Sequence, residues 1–343
     1  MRASISWWLS PRLSNLALLL VLLLALATGA GAVATGSPGG RWVVIAHGVA
    51  GMAVIVLIPW KGHIIRRGLR RARRTRWASL LLASLAITTV VTGVGYSTGL
   101  IRSIGGRYGM WIHIAAGLAV LPLLAWHALA RPSRPHRTDL SRRVALKAGV
   151  LGVAAAALYV TTDTVTRLTP LPGAQRRFTG SHEIGSFVPA SMPSTIWLND
   201  TTPTVDADTW RLTVADGFGS YQLALPELAA RQTTLRATLD CTSGWYARQD
   251  WTGVPVSSLV RDLGEPRSLL VRSVTGYWIR FPADDIDQLL LATGVGGEPL
   301  APRHGFPVRL VAPGRRGYWW VKWVDRIELQ RTPAWWQPPF PLT

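Results

Sequence analysis

The chain's 343 residues hold a single cysteine, Cys241. A lone cysteine cannot close an internal disulfide, so it is either a small buried hydrophobe or, once deprotonated, a nucleophile or metal ligand. Its flanks favour chemistry. Leu239-Asp240-Cys241-Thr242-Ser243-Gly244-Trp245-Tyr246 leads into Trp251-Thr252-Gly253-Val254-Pro255-Val256. Glycine and proline here punctuate large aromatic residues and let the backbone come close to something bulky.

Histidines form the second set. His47-x-x-x-Gly51-Met52-Ala53-Val54, followed by Trp60, matches His113-x-x-x-Gly117-Leu118-Ala119-Val120, followed by Trp126. Arg41 and Arg107 precede the two histidines by the same interval, which marks an internal repeat of a two-helix unit. Repeated helices that run the same way bring His47 and His113 to similar depth. Two facing imidazoles, each with a glycine one turn on, are what bis-histidine haem b requires. His127 comes 14 residues after His113, returning to nearly the same helix face about 21 Å deeper, where a second haem would fit. Its partner would be His63, but that residue stands about 160° round the helix from His47. Only unwinding at Pro59 and Gly62 would bring it into line, so the second haem stays open.

Two chemically different halves carry these residues. Residues 1–138 contain no Asp or Glu and 16 Lys or Arg, whereas residues 170–343 hold 17 basic against 16 acidic residues. The net charge of +19 therefore belongs to the first half. There it sits in short connections between apolar stretches of about 20 residues, the pattern of membrane topology and not of nucleic-acid binding. Spans are expected at about 13–33, 42–60, 77–97, 110–130 and 144–162, an all-α five-helix transmembrane bundle over residues 1–165. The first run is too long for a cleaved signal peptide and is followed by more of the same.

Arg66, Arg67, Arg70, Arg71, Arg73, Arg74 and Arg76 crowd one connection, and six basic residues lie between Arg131 and Lys147. Both connections are expected on the cytoplasmic side of a multi-pass protein of the cytoplasmic membrane. An odd number of spans then puts the C-terminal half outside. Ser141-Arg142-Arg143-Val144-Ala145-Leu146-Lys147, ahead of the fifth span, looks like a twin-arginine export signal; a plain positive-inside cluster is the alternative.

Pro170-Leu171-Pro172-Gly173 lies in a linker, residues 166–174. Beyond it, residues 175–343 change to an alternating, turn-rich pattern. Residues 210–214, 268–274, 277–281 and 307–311 read as strands, and residues 225–230 and 282–291 as helical, an α+β mixture.

The cysteine run resembles the molybdopterin-binding domain of the sulfite oxidase family, in which the cysteine thiolate ligates molybdenum. The resemblance continues through Leu289-Leu290-Leu291-Ala292, Gly297-Glu298-Pro299-Leu300, His304-Gly305-Phe306-Pro307-Val308-Arg309, Val311-Ala312-Pro313-Gly314 and Val321-Lys322-Trp323, over about residues 175–331. It implies a molybdenum–molybdopterin cofactor ligated by Cys241, with His304, Arg309 and Lys322 holding the pterin and its phosphate. A phosphate dianion suits a bidentate guanidinium and a point-charge ammonium. Trp245, Tyr246, Arg248 and Tyr277 are candidates for the catalytic pocket, with Arg248 available to an anionic substrate. Two departures stand out. Trp319-Trp320 occupies the place of a basic residue and a serine, and Met192-Pro193-Ser194-Thr195 that of a Phe-x-Arg-Asn-type segment. The chain ends soon after Trp336, without room for the β-sandwich dimerisation domain of animal and plant sulfite oxidases, so a monomer is expected.

The N-terminal half resembles bacterial b-type cytochrome membrane subunits. Together these features imply a molybdoenzyme in the lipid bilayer that takes electrons from the quinone pool through haem b and reduces a small S- or N-oxide, as two-component periplasmic methionine sulfoxide reductases do. A sulfite-dehydrogenase-like oxidase and a molybdoenzyme on a haem-free anchor are the alternatives.

Overall fold

Between Arg12 and Arg41 no residue carries a charge. A long uncharged run satisfies its own backbone most readily as a helix. The computed structural model describes residues 8–69, 76–196, 200–261 and 266–338. They divide into two compact units, one of Met1–Val33 with Gly39–Gly180 and the other of Ala34–Pro38 with Ser181–Thr343.

The first unit contains α1 (Pro11–Ala34), α2 (Arg41–Leu69), α3 (Arg76–Thr98), α4 (Gly109–Ala130) and α5 (Arg142–Leu168). Strands β1 (Ser103–Ile104) and β2 (Arg107–Tyr108) form a small hairpin between α3 and α4. All five helices are long and apolar enough to cross a membrane. The shortest has 22 residues, about 33 Å at 1.5 Å per residue against a hydrocarbon core of about 30 Å. Hydroxyls inside them are not left bare: Thr92 donates to the Thr88 carbonyl (2.6 Å) and Thr162 to that of Leu158 (2.8 Å), one turn earlier. Arg70, Arg71, Arg73 and Arg74 of the basic connection lie outside the described residues.

Strands of the second unit are β3 (His182–Glu183), β4 (Arg211–Asp216), β5 (Gly219–Ala224), β6 (Thr233–Asp240), β7 (Trp245–Pro255), β8 (Ser268–Ser273), β9 (Trp278–Pro282), β10 (Leu290–Val295), β11 (Glu298–Pro299), β12 (Arg309–Val311) and β13 (Val324–Gln330). The short helix α6 (Leu225–Ala229) follows β5. One sheet runs β5-β4-β13-β8-β9. Its strands alternate buried and open positions, burying Leu212 and Val214, Leu269 and Val271, and Ile279 and Phe281, as expected of a sheet with one covered face. The other sheet is built on the long β6–β7 hairpin, whose register runs from Thr233 opposite Gly253 to Asp240 opposite Tyr246. The far half of β7 also pairs with β10, and its first residues pair in parallel with β3.

Residues 282–291, expected to be helical, are not an α-helix. Ala283–Gln288 makes a 3-10 turn, and the chain then enters β10. Leu290, Leu291 and Ala292 are all buried, and a short apolar run buried on both faces carries no period that separates strand from helix.

Candidate active site

The turn that joins β6 to β7 consists of Cys241, Thr242, Ser243 and Gly244. Gly244 N–H donates to the Cys241 carbonyl (3.0 Å), and Cys241 N–H to the Trp245 carbonyl (2.8 Å). Gly244 has φ +96°, a left-handed conformation that glycine adopts at little cost. The longest hairpin of the unit thus ends in a tight loop with the cysteine at its start. Cys241 is 7% exposed, and the Ser243 hydroxyl donates to its sulfur at 3.1 Å.

Cations gather around this thiol. Arg309, on β12, is 1% exposed. Its guanidinium lies within cation–π reach of Trp251 (5.1 Å) and Trp320 (5.7 Å), whose rings meet each other at 5.5 Å. It donates to the carbonyls of His304 (3.0 Å) and Trp320 (3.5 Å), and its Nε has no partner. Burial lowers its pKa to about 10, with Cys241 acting in the opposite direction, so it is cationic at neutral pH. Two cation–π contacts at roughly 0.5–2 kcal/mol each fall short of a desolvation penalty of several kcal/mol for a buried ion. Among the described residues no carboxylate pairs with it, a setting that suits an anion.

Lys322 donates to Ser194 Oγ (2.9 Å) and to the carbonyls of Thr195 (3.0 Å) and Arg303 (2.8 Å). Burial and then Arg309 push it down to about 7, opposed by Cys241 and Asp200. His304 is buried, and burial followed by its cationic neighbours Arg309, Lys322 and Arg303 pushes it down to about 3. The imidazole is therefore neutral at pH 7. One ring nitrogen donates to the Met192 carbonyl, and Nε2 is buried with no partner among the described residues. In a neutral ring whose other nitrogen donates, Nε2 is an acceptor. It suits an N–H of a pterin ring better than a phosphate oxygen.

Cys241, His304, Arg309 and Lys322 are thus brought together. The segment that departs from the family pattern joins them, since Thr195 Oγ1 meets Ser243 Oγ (3.1 Å) and accepts from Trp245 Nε1 (3.2 Å). Trp320, of the other departure, packs on Trp251 and lies 5.7 Å from the Arg309 guanidinium. Other candidates are placed differently. On β7 the side chains of Trp245, Ala247, Gln249 and Trp251 are buried, while Tyr246 and Arg248 alternate to the opposite side and Arg248 is exposed. Tyr277 is buried with its hydroxyl donating to the Tyr318 carbonyl, and burial raises its pKa, so its proton is committed to the fold.

In the first unit the His47 and His113 rings meet with centroids 5.8 Å apart at 81°. His47 Nδ1 contacts the Ala25 carbonyl (2.9 Å) and His113 Nδ1 that of Thr89 (2.8 Å). A carbonyl only accepts, so each Nδ1 carries the proton and each Nε2 keeps a lone pair, the usual arrangement of a metal-ligating histidine. A Cβ added at Gly29 would come within 3.0 Å of the His47 ring, and one at Gly93 within 2.8 Å of the His113 ring. The repeat is thus deeper than the histidine motif, because each carbonyl acceptor is followed four residues later by the glycine that admits the ring. Sequence reading missed Gly29 and Gly93, although the 64-residue spacing of the two glycines is close to the 66 of the histidines.

His127 has a buried, unpartnered Nδ1. Its proposed partner does not reach it. The α2 helix continues through Pro59 and Gly62 to Leu69 with His63 exposed, so nothing removes the rotational offset from His47. Among the described residues no three of His, Cys, Asp and Glu gather into a metal-holding group. One thiol in one unit and two imidazoles in the other suit metals that arrive within an organic ligand.

Residues 199–336 match the oxidoreductase molybdopterin-binding domain family. This part of the chain is a molybdopterin-binding oxidoreductase domain. It is 44% identical over 55 residues to a nitrate reductase (NADPH) of Mycosarcoma maydis, a match covering 16% of this chain and 6% of the relative. The uncharacterized oxidoreductase YuiH of Bacillus subtilis is 33% identical over 109 residues, 29% of this chain and 54% of the relative. The sulfane dehydrogenase SoxCD of Paracoccus pantotrophus aligns in structure at 25% identity with a TM-score of 0.35, covering 38% of this chain and 40% of that one. The chain spans about half of YuiH and a small part of the nitrate reductase.

The match to a molybdopterin-binding domain gives the buried Arg309 guanidinium a purpose that can be checked. Arg309→Met removes a buried cation and leaves an apolar chain of similar length. It is expected to keep or raise the thermal midpoint of the cofactor-free protein while lowering bound molybdenum about tenfold or more, measured by metal analysis per chain. Full metal content would separate Arg309 from cofactor binding.

Proposed function

We propose that the protein is a membrane-bound molybdenum-cofactor oxidoreductase that takes electrons from quinol through haem b and reduces a small S- or N-oxide outside the cytoplasmic membrane. The observation that carries this reading is the gathering of Cys241, His304 and Lys322 about Arg309, a buried guanidinium with no carboxylate partner among the described residues. Cys241 would ligate the molybdenum, Arg309 and Lys322 would hold anionic oxygens of the cofactor, and the His304 Nε2 would accept from a ring N–H. When bound, the cofactor supplies two-electron oxygen-atom exchange. Buried Trp245, Trp251 and Trp320 keep water from the cationic wall. The balance is closed: quinol gives two electrons and two protons, and the oxide takes both to yield the reduced compound and water.

His47 and His113 would hold the haem b through their Nε2 atoms, and the haem would supply one-electron transfer. The rings meet edge to face at 5.8 Å, each with its Nδ1 on a carbonyl, which supports this reading. No second haem is proposed, because His63 is exposed on an unbroken helix. Anaerobic titration of purified protein with a quinol analogue tests the reading, with visible spectra and metal analysis. A b-type spectrum reduced by quinol and reoxidised by an S- or N-oxide is expected. Reduction by sulfite instead would reverse the direction, and absence of haem would leave a plain anchor.

Export is part of the proposal, since the cofactor is inserted into a folded domain. Arg142 and Arg143 are exposed at the start of α5, open to a receptor. Changing both to Lys keeps the positive charge and its topological bias. The C-terminal unit is then expected to stay inside, protected from protease added to spheroplasts; unimpaired cleavage would reduce the pair to a charge cluster.

A further inference from the structure

Arg316 is as buried as Arg309 but is used differently. Its guanidinium lies against Asp240 (Nη1 to Oδ1, 2.6 Å), with both side chains 3% exposed. The same fork reaches past the carboxylate, so that Nη2 donates to the carbonyl of Cys241 at 3.0 Å. Ser181 donates to Asp240 at 2.6 Å and lies 3.5 Å from the Cys241 carbonyl. Asp240 and Arg316 also form an isolated parallel bridge. A Cβ at the next residue, Gly317, would stand 3.0 Å from the Cys241 Cα, so the two segments run backbone against backbone.

We infer that Arg316 is a positioning residue for Cys241, aiming the thiolate by holding the carbonyl of the same residue. The inference rests on the reading of Cys241 as molybdenum ligand. Within the loop, that carbonyl already accepts from Gly244 N–H at 3.0 Å. A carbonyl oxygen has two lone pairs, and the guanidinium takes the second. The loop is therefore fixed at its base from outside the hairpin, and the Cα–Cβ direction of Cys241 follows. Asp240 keeps the guanidinium in place, because a planar fork can serve a carboxylate and a carbonyl at once while an ammonium offers a single point charge.

Two variants separate aiming from folding. Arg316→Lys keeps the charge beside Asp240 and loses the fork; Asp240→Asn combined with Arg316→Leu removes both buried charges, an exchange that folds often tolerate. The test is carried out on the full chain loaded with cofactor. Native molybdenum per chain and cooperative thermal unfolding are expected in both variants, with a shifted or split electron paramagnetic resonance signal of the partly reduced metal, because the thiolate now takes more than one direction. A native signal in either folded variant would overturn the inference. So would loss of molybdenum from either, since that makes Arg316 a binding group. Absence of molybdenum from the unaltered protein would instead defeat the proposed function, a distinguishable result.

Discussion

Cys241→Ser is expected to reduce oxygen-atom transfer at least about a thousandfold, which at 1.36 kcal/mol per decade is about 4 kcal/mol of barrier. A soft thiolate is exchanged for a hydroxyl that stays protonated near neutral pH and ligates molybdenum poorly. The fold should survive, since the cysteine's polar contact is one hydrogen bond from Ser243, and an oxygen can accept it as well. Pterin contacts from His304, Arg309 and Lys322 also remain. The check is turnover alongside metal content and thermal unfolding of the same preparation. Activity at the native level would remove Cys241 from the site and the proposed chemistry with it.

His113→Ala should have the second large effect, confined to the first unit. It removes one of the two imidazoles and its hydrogen bond to the Thr89 carbonyl, which keeps the Thr92 hydroxyl as a donor at 3.2 Å, so the cost to the fold is only about 0.5–1.5 kcal/mol. The b-type absorption should disappear, and with it reduction by a quinol analogue, while oxygen-atom transfer driven by a soluble dye donor to the molybdenum persists. Visible spectra and the two assays on one preparation read all three. Retention of a native haem spectrum would exclude His113 as a ligand.

The five long helices could be read in the sequence because each rests on one strong signal, a long apolar run with few charges. Cys241, His304, Arg309 and Lys322 could be read because motif order survives folding. The partners of those residues could not. Arg316 is separated from Asp240 by 76 residues and looks in sequence like any basic residue of a loop. Tyr246 and Arg248 were attractive by nearness to Cys241 in the chain, but a strand sends neighbours to opposite faces, and only the register of β7 tells which face meets Arg309. The inner histidines turn on a similar point, since whether a helix unwinds at Pro59 is decided by what packs against it.

The matching pairs, His47 with Ala25 and Gly29, and His113 with Thr89 and Gly93, carry a historical implication. Each helical hairpin supplies one ring, its proton acceptor and the space for it, and neither closes a two-ring site alone. A protein made of a single such hairpin would have gained the site only by pairing with another copy of itself. Duplication and fusion within one gene would turn that encounter into a permanent neighbour, after which the two halves were free to diverge.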